Sequence, residues 1–471
     1  MDTNSLLQKF SQFFDLKHRT LSLNGKNVDV FFLDTMCSSD KVTQFVVRPL
    51  IEMKEPLSAE SLVEKIIFGA DCKTESDFDK VCDEFLDGKT IVFVEKENDA
   101  VIVDTKTIEY RAVAEPPTSR STKGPREGFN ENIKTNLTLL RKRLKTENFK
   151  ADSFTVGDKT NTMVAVCYIK GTASEKIVKS ITEKIKTIKT DGVLDSSFVA
   201  VYLDADKTTL FKLVGSFEKP DVVASKLLEG KVAVIVDGSP IVLTLPYTFL
   251  EDVQSPDDYY YYTPYTASLG RVLRLISMII AVLLPAVYVA LQLFHYQILP
   301  SKFLITVLSS VKGIPFTPLV EMIVVIILFD ILREANARMP QIAGLSLSIV
   351  GAIILGDAAV KAGLLGAPAV MIGAMSGIGL YSMPDNTMLF SFLRLCFVLI
   401  GGLVGILGIL LGVMFVVSYV VSIDDFGTPY LSPLSPSVKK DKKDAILRKS
   451  LIDLNQKSNA DLSLRGKETK Q

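Results

Sequence analysis

The chain has 471 residues, enough for about three domains, and it carries 53 Lys and Arg against 53 Asp and Glu. A nucleic-acid-binding protein would show a basic excess, so we expect no nucleic acid among its partners. Only two histidines and five widely spaced cysteines are present, and the common phosphate-binding, dinucleotide-binding and hydrolase motifs are missing. We therefore predict that the protein is not an enzyme and has no catalytic residue, cofactor or metal site.

The first 250 residues mix charged and apolar positions and predict an α/β soluble region of two lobes, 1–114 and 130–250. The Pro- and Gly-rich stretch 115–129 between them predicts a connector. In the first lobe, 90–94 and 100–103 are predicted strands. In the second lobe the apolar patterns predict helices at 130–146 and 173–187, and strands at 162–169, 198–203, 232–236 and 241–245.

The helix predicted at 130–146 carries a basic face. Its members are Lys134, Arg141, Lys142, Arg143 and Lys145. A solvated surface is the commoner role of such a face, and contact with a protein partner or an anionic lipid is the alternative.

A juxtamembrane linker at 251–271 precedes a strongly apolar region, 272–423, which we predict to be an all-α transmembrane domain; 424–471 is a polar, Lys-rich tail. Since about 20 apolar residues cross a bilayer, the predicted crossings are 272–294, 318–338, 343–365 and 388–423, with 366–383 a re-entrant or short span. The last stretch is either one long tilted helix or two spans broken near Gly401 and Gly402.

The first 25 residues hold no secretory signal, and basic residues flank the first, second and last predicted crossings. The positive-inside rule then places both termini in the cytoplasm, which requires an even number of crossings. Four crossings fit if the last stretch is one helix, and six fit if it is a hairpin. We favour four.

Ionisable side chains inside the apolar region are costly in lipid, so each is a candidate functional residue. The candidates for an ion pathway or gate are Glu321, Asp357, Lys361 and Arg394. Two acid–base pairs lie at one helix end, Asp330 with Arg333 and Glu334 with Arg338. In each pair the two charges are expected to neutralise each other. Asp357 and Lys361 have pairing spacing too, whereas Arg394 has no local acid and needs a partner on another helix, a headgroup or water.

Four glycines recur at helical spacing in the last apolar stretch: Gly401, Gly405, Gly408 and Gly412. Small residues at this spacing let membrane helices approach closely. The pattern predicts close helix packing, either within the chain or between subunits.

Several segments, in chain order, carry a family resemblance. They are 115–129 (EPPTSRSTKGPREGF), 192–197 (GVLDSS), 229–240 (EGKVAVIVDGSP), 251–260 (EDVQSPDDYY), 333–340 (REANARMP), 349–363 (IVGAIILGDAAVKAG) and 426–436 (FGTPYLSPLSP). From about residue 25 to 436 the chain resembles the A subunits of spore germinant receptors, the GerA family. The segment 375–383 (MSGIGLYSM) is richer in glycine than the family pattern, and the tail has no match.

The resemblance implies a multi-pass protein of the spore inner membrane or cell membrane, in contact with lipid. Its implied partners are a transporter-like B subunit and a lipoprotein C subunit. The family's A subunits are expected to oligomerise, as pentamers, into a nutrient-gated cation channel. The related subunit encoded with the SpoVA proteins shares these motifs and is the closest alternative identity. A secondary transporter subunit, or a non-conducting scaffold or signalling subunit, is the alternative function.

Overall fold

The computed structural model describes residues 3–23, 25–52, 58–63, 67, 72–106, 124–204, 209–260, 263–338, 351, 354–436 and 444–449. Most of the predicted connector, at 115–123, lies outside the described residues. The same holds for 343–350, 352 and 353 of the predicted third crossing, and for the end of the tail from residue 450.

The first lobe is built on a five-stranded antiparallel sheet in the order β1-β2-β4-β5-β3. Alternate residues of its central strands feed two separate cores: Val92 and Val94 pack on one face, Ile91 and Phe93 on the other, as the two-residue period of a strand requires. The elements are α1 (Thr3–Phe10), β1 (Leu16–Leu23), β2 (Lys26–Leu33), α2 (Ser39–Val42), α3 (Arg48–Glu52), α4 (Ala59–Ser61), β3 (Cys72–Glu75), α5 (Phe78–Leu86), β4 (Thr90–Val94) and β5 (Ala100–Val103).

The second lobe repeats this plan, with a five-stranded antiparallel sheet in the order β6-β7-β9-β10-β8. Helices α6 and α9 cover one face and α7 and α8 the other. The elements are α6 (Ile133–Arg143), β6 (Phe149–Val156), β7 (Thr162–Ile169), α7 (Glu175–Lys186), α8 (Ser196–Leu203), β8 (Gly215–Phe217), α9 (Pro220–Leu228), β9 (Val232–Val236) and β10 (Val242–Leu245). The predicted α/β region of two lobes is confirmed.

The strand predicted at 198–203 is wrong, because these residues belong to helix α8. Its β-branched and aromatic composition is typical of a strand. However, Asp195 caps the segment by accepting the N–H of Ser197 at 3.0 Å, and such a cap starts a helix. Burial follows the helical period, since Val199 and Leu203 are buried and Val201 is exposed.

The predicted all-α region after the lobes is observed as a set of apolar helices. They are α10 (Phe249–Val253), α11 (Pro264–Leu293), α12 (Ser301–Val311), α13 (Pro318–Arg338), α14 (Ala359–Lys361), α15 (Ala367–Leu380), α16 (Thr387–Val404) and α17 (Ile406–Ser422). Among the described residues, two helical segments are long and apolar enough to cross a membrane, Pro264–Leu293 and Pro384–Val404. Helices α15 and α17 are apolar but shorter.

The last apolar stretch is an antiparallel helical hairpin, not the single long helix that the four-crossing scheme required. Gly405 separates α16 from α17 with φ +76°, a left-handed conformation that ends a helix. The two helices then pack along each other, with Gly412 of α17 against Phe397 of α16. The preference for one long helix is thus corrected, and the break lies slightly beyond the predicted position.

After α17 the chain returns to the second lobe. A two-stranded ribbon, β11 (Asp424–Asp425) and β12 (Thr428–Pro429), follows at once. Tyr430 is buried in a cluster with Tyr247, next to strand β10. The helical region therefore starts and ends at the same lobe.

Candidate functional site in the helical region

Arg394 lies at the centre of a polar cluster that joins three helices. Its side chain is 0% exposed, and it donates to Asp330 Oδ1 on α13 at 2.8 Å and to Ser376 Oγ on α15 at 3.0 Å. Ser391, on its own helix α16, accepts a further bond at 3.1 Å and donates to Asp330 Oδ2 at 2.5 Å. A charged guanidinium thus fixes the relative positions of α13, α15 and α16.

Of the two acid–base pairs at the end of α13, one contributes to the Arg394 cluster and the other is exposed. Arg333 lies 3.3 Å from Asp330, so this carboxylate is shared between its helical neighbour and Arg394. Glu334 and Arg338 form a 2.6 Å pair whose side chains are both exposed. Only the first pair is part of the buried cluster.

Asp357 and Lys361 form a 2.7 Å ion pair on the surface of the helical region, where their side chains are 60% and 74% exposed. Asp357 belongs to a π-helical turn, Ile354–Ala358, that leads into α14. The neighbouring Ala359 and Val360 join the apolar cluster around Val325 of α13. The pair is therefore level with the middle of α13, not with its ends.

Glu321 lies in the first turn of α13 and is 0% exposed. It accepts the backbone N–H of Gly366, at the start of α15, at 2.5 Å. The structure thus places this acid away from both the Arg394 cluster and the exposed Asp357–Lys361 pair.

The four glycines of the last stretch are divided between the two helices of the hairpin and the turn. A Cβ at Gly401 would lie 2.8 Å from the Ala286 carbonyl of α11, and one at Gly408 would meet Val404 of α16 at 2.7 Å. Gly405 occupies the turn, beside Phe294. Each therefore lies against another part of the same chain, with Gly412 against Phe397.

A buried polar junction connects the second lobe to the helices. Glu251 of α10 forms ion pairs with Lys226 and Lys231. Burial alone would raise the pKa of Glu251, but the two ammonium groups lower it to about 2. This carboxylate is therefore ionised at every physiological pH and holds α10 against the lobe.

Two further acids of the junction have cations only at longer range, Lys212 for Asp252 and Lys184 for Asp425. Burial raises the pKa of Asp252 to about 7, although the Tyr247 hydroxyl donates to it. Burial also raises the pKa of Asp425 to about 7, although its carboxylate accepts the Tyr247 N–H at 3.0 Å. Both groups change charge near neutral pH.

The described part of the tail contacts the N-terminal third of α11. Asp258 accepts hydrogen bonds from Arg271 at 3.2 Å and from Arg274 at 2.9 Å. Arg271 also pairs with Asp444 at 2.8 Å, and Arg448 donates to the Asp258 carbonyl. Sequence reasoning missed this contact, because the tail has no pattern that identifies a binding surface.

The basic face of α6 is not simply solvated. Its side chains pair with carboxylates of the same chain, mostly in the first lobe: Arg141 with Asp15 at 2.6 Å, Lys134 with Asp34 at 2.7 Å, Lys145 with Asp87 at 2.6 Å, and Arg143 with Glu127 at 2.6 Å. The Arg141–Asp15 pair is buried. The face therefore joins the two lobes. Among the described residues, no group of three or more His, Cys, Asp or Glu side chains is placed to hold a metal ion.

The chain is similar in sequence to known proteins along most of its length. The family model described as Bacillus/Clostridium GerA spore germination protein matches residues 4–460. "Spore germination protein KA" of Bacillus subtilis (strain 168) is 33% identical over 89% of this chain and 78% of its own length. "Spore germination protein GerLA" of Bacillus cereus is 31% identical over 92% of this chain and 89% of its length. The crystal structure of the N-terminal domain of the A subunit of the Bacillus megaterium spore germinant receptor GerK3 aligns with 25% identity and a TM-score of 0.41, covering 52% of this chain and 93% of that one.

Proposed function

The chain belongs to the Bacillus/Clostridium GerA family of spore germination proteins, and on that premise we propose that it is the A subunit of a nutrient germinant receptor whose copies surround a cation-conducting pathway. The observation that carries this proposal is the exposed pair formed by Asp357 and Lys361. Both groups lie on an apolar helical region, level with the middle of a 21-residue helix.

Charges at that depth cost several kcal/mol when they face lipid. A surface that carries them is stable when it lines water or contacts another subunit. Several copies arranged with this face inward would provide both, and the acid would attract cations to the pathway. We assign Asp357 to that role, Lys361 to its pairing partner, and Arg394 to setting the closed arrangement of α13, α15 and α16.

The course of the chain supports six passages through the membrane. Helices α11, α13, α15, α16 and α17 supply five of them. We assign the sixth to the chain between α13 and α15, because Gly351 lies against Leu332 and Gly366 reaches Glu321, nearer the start of α13. An even number agrees with the return of the chain to the second lobe. Both termini then lie on the cytoplasmic side, and the helical region lies in the spore inner membrane.

The proposed assembly is a homo-oligomer, in keeping with a pentamer, that works with a transporter-like B subunit and a lipoprotein C subunit. The glycines of the hairpin pack α16 and α17 closely within each copy and leave the outer face of α17 free for a neighbouring copy. That face carries exposed apolar side chains, Leu407, Leu411, Met414 and Phe415.

Ion flux in liposomes tests the proposal. The purified chain, alone and with its B and C subunits, is reconstituted and the release of K⁺ is followed. We expect passive release that is cation-selective. Asp357→Asn should lower the cation-to-anion permeability ratio while the amount of inserted protein stays constant. The matched control is Glu334→Gln, which breaks an exposed pair of the same spacing at the end of α13 and should leave the ratio unchanged.

Two outcomes would contradict the proposal. Saturable uptake coupled to a second ion would indicate a transporter, and assembled complexes without any flux would indicate a scaffold. If Asp357→Asn combined with Lys361→Gln restored parental conductance and selectivity, the pair would be structural and the pathway assignment wrong.

A further inference from the structure

A second polar cluster lies where α11, α13 and α15 meet, near the C-terminal end of α11. Its acid is Glu321, with a fully buried side chain. The Gly366 N–H satisfies one carboxylate oxygen, and the other, Oε2, has no hydrogen-bond partner. Among the described residues, no Lys or Arg interacts with this carboxylate. The acid is thus the counterpart of Arg394 in burial, but it lacks a partner of opposite charge.

Two neutral side chains of α11 complete the cluster. Tyr288 is 6% exposed, and its hydroxyl lies close to the Gln292 amide and within electrostatic range of the Glu321 carboxylate. Gln292 lies one helical turn further on, and both polar atoms of its amide are buried without a partner at good hydrogen-bond geometry. Three side chains from two helices therefore bring unpaired polar atoms to one region of the interior.

Unpaired polar atoms in the buried interior lower the stability of the fold. Each buried donor or acceptor without a partner has lost its hydrogen bond to water and gained none in return, and a lone buried carboxylate is less stable still. A bound ligand removes these costs if it is positively charged and takes oxygen donors. The cluster offers a carboxylate, a phenol and an amide oxygen, all hard donors, and a single negative charge. Sites for Ca²⁺ or Mg²⁺ commonly use more carboxylates, so the charge matches a monovalent ion.

We propose that Glu321, Tyr288 and Gln292 bind one dehydrated monovalent metal cation, Na⁺ or K⁺, between α11 and α13. The ion neutralises Glu321 and holds the two helices together next to the start of α15. The site is separate from the exposed Asp357–Lys361 pair, and it is expected whether or not the assembled chain conducts ions.

Equilibrium binding to the purified full-length chain in detergent tests this site. Radioactive sodium and rubidium are titrated at constant ionic strength, with choline as the replacement cation. We expect saturable binding of one of them at one ion per chain, displaced by Na⁺ or K⁺ and not by choline. Glu321→Gln and Gln292→Leu should weaken binding by about tenfold or more, since each removes an oxygen donor or a charge that contacts the ion. Glu334→Gln is the control and should bind like the parent.

The parent isotherm alone can overturn the proposal, because absence of saturable binding contradicts it whatever the variants do. If instead the melting temperature depends on pH and Glu321→Gln removes that dependence without any cation effect, the carboxyl is protonated and no ion is held. Should Glu321→Gln not fold, Tyr288→Phe keeps the ring packing and removes only the hydroxyl; unchanged affinity in that variant would exclude Tyr288 from the site.

Discussion

The Arg394 cluster allows a quantitative prediction about the stability of the helical region. Arg394→Met keeps the length of the side chain and removes its bonds to Asp330, Ser376 and Ser391. Breaking one side of a buried ion pair costs about 3–5 kcal/mol. Asp330 is 29% exposed and keeps Arg333 at 3.3 Å, so its stranded charge is partly screened. We therefore expect a loss of about 2–4 kcal/mol.

The loss can be read as a melting temperature of the full-length chain in detergent, followed by circular dichroism. One kcal/mol corresponds to about 2–4 °C for a region of this size, which gives a decrease of roughly 4–16 °C. The double variant Arg394→Met with Asp330→Asn should melt higher than the sum of the single changes predicts, since it also removes the carboxylate that Arg394→Met leaves without its main partner. Arg338→Met, in an exposed pair, should lose at most about 1 kcal/mol.

A melting temperature of Arg394→Met within the range of the Arg338→Met control would contradict a stabilising role for the Arg394 bonds. Strictly additive effects of Arg394→Met and Asp330→Asn in the double variant would contradict it as well. Either result would mean that Asp330 is neutralised by Arg333 alone and that Arg394 finds its stabilisation elsewhere.

Three other predictions use the same melting assay. The raised pKa of Asp252 means that the folded chain retains a proton that the unfolded chain releases above about pH 4, so stability should fall as pH rises towards and through 7, and Asp252→Asn should flatten that slope. Arg141→Met should cost about 3–5 kcal/mol by leaving Asp15 buried and unpaired, and adding Asp15→Asn should recover most of the loss. Gly405→Ala should destabilise by about 1–3 kcal/mol because of its positive φ; Gly377→Ala, in open helical space, should not.

Secondary-structure elements could be predicted from the sequence where the pattern that identifies them is local. Strands at 90–94, 100–103 and 162–169 were predicted with the bounds that the structure shows, because each is a strongly apolar run. Strand β1, at the edge of its sheet, was not predicted, since its mostly exposed residues LKHRTLSL carry no apolar alternation. Helix α8 was assigned as a strand because its composition outweighed the cap at Asp195.

The charged residues of the candidate site could be predicted from the sequence, but their hydrogen-bond and ion-pair partners could not. An arginine in an apolar segment requires a partner, yet nothing in the sequence selects Asp330, which is 64 positions away; helical spacing pointed to Arg333 instead. Tyr288 and Gln292 gave no signal at all, because a phenol and an amide are common in apolar helices. Their importance depends on the position of Glu321 on a different helix, which only the packing of α11 against α13 determines.

The helical region leaves the second lobe at α10 and returns to it at Asp425. Glu251 with Lys226 and Lys231 anchors the first point, and Asp425 with the Tyr247 N–H anchors the second. The long helices at the two ends of this region, α11 and α17, are thus both tied to the same lobe. If the second lobe rotates, both attachment points move with it, so α11 and α17 are displaced together.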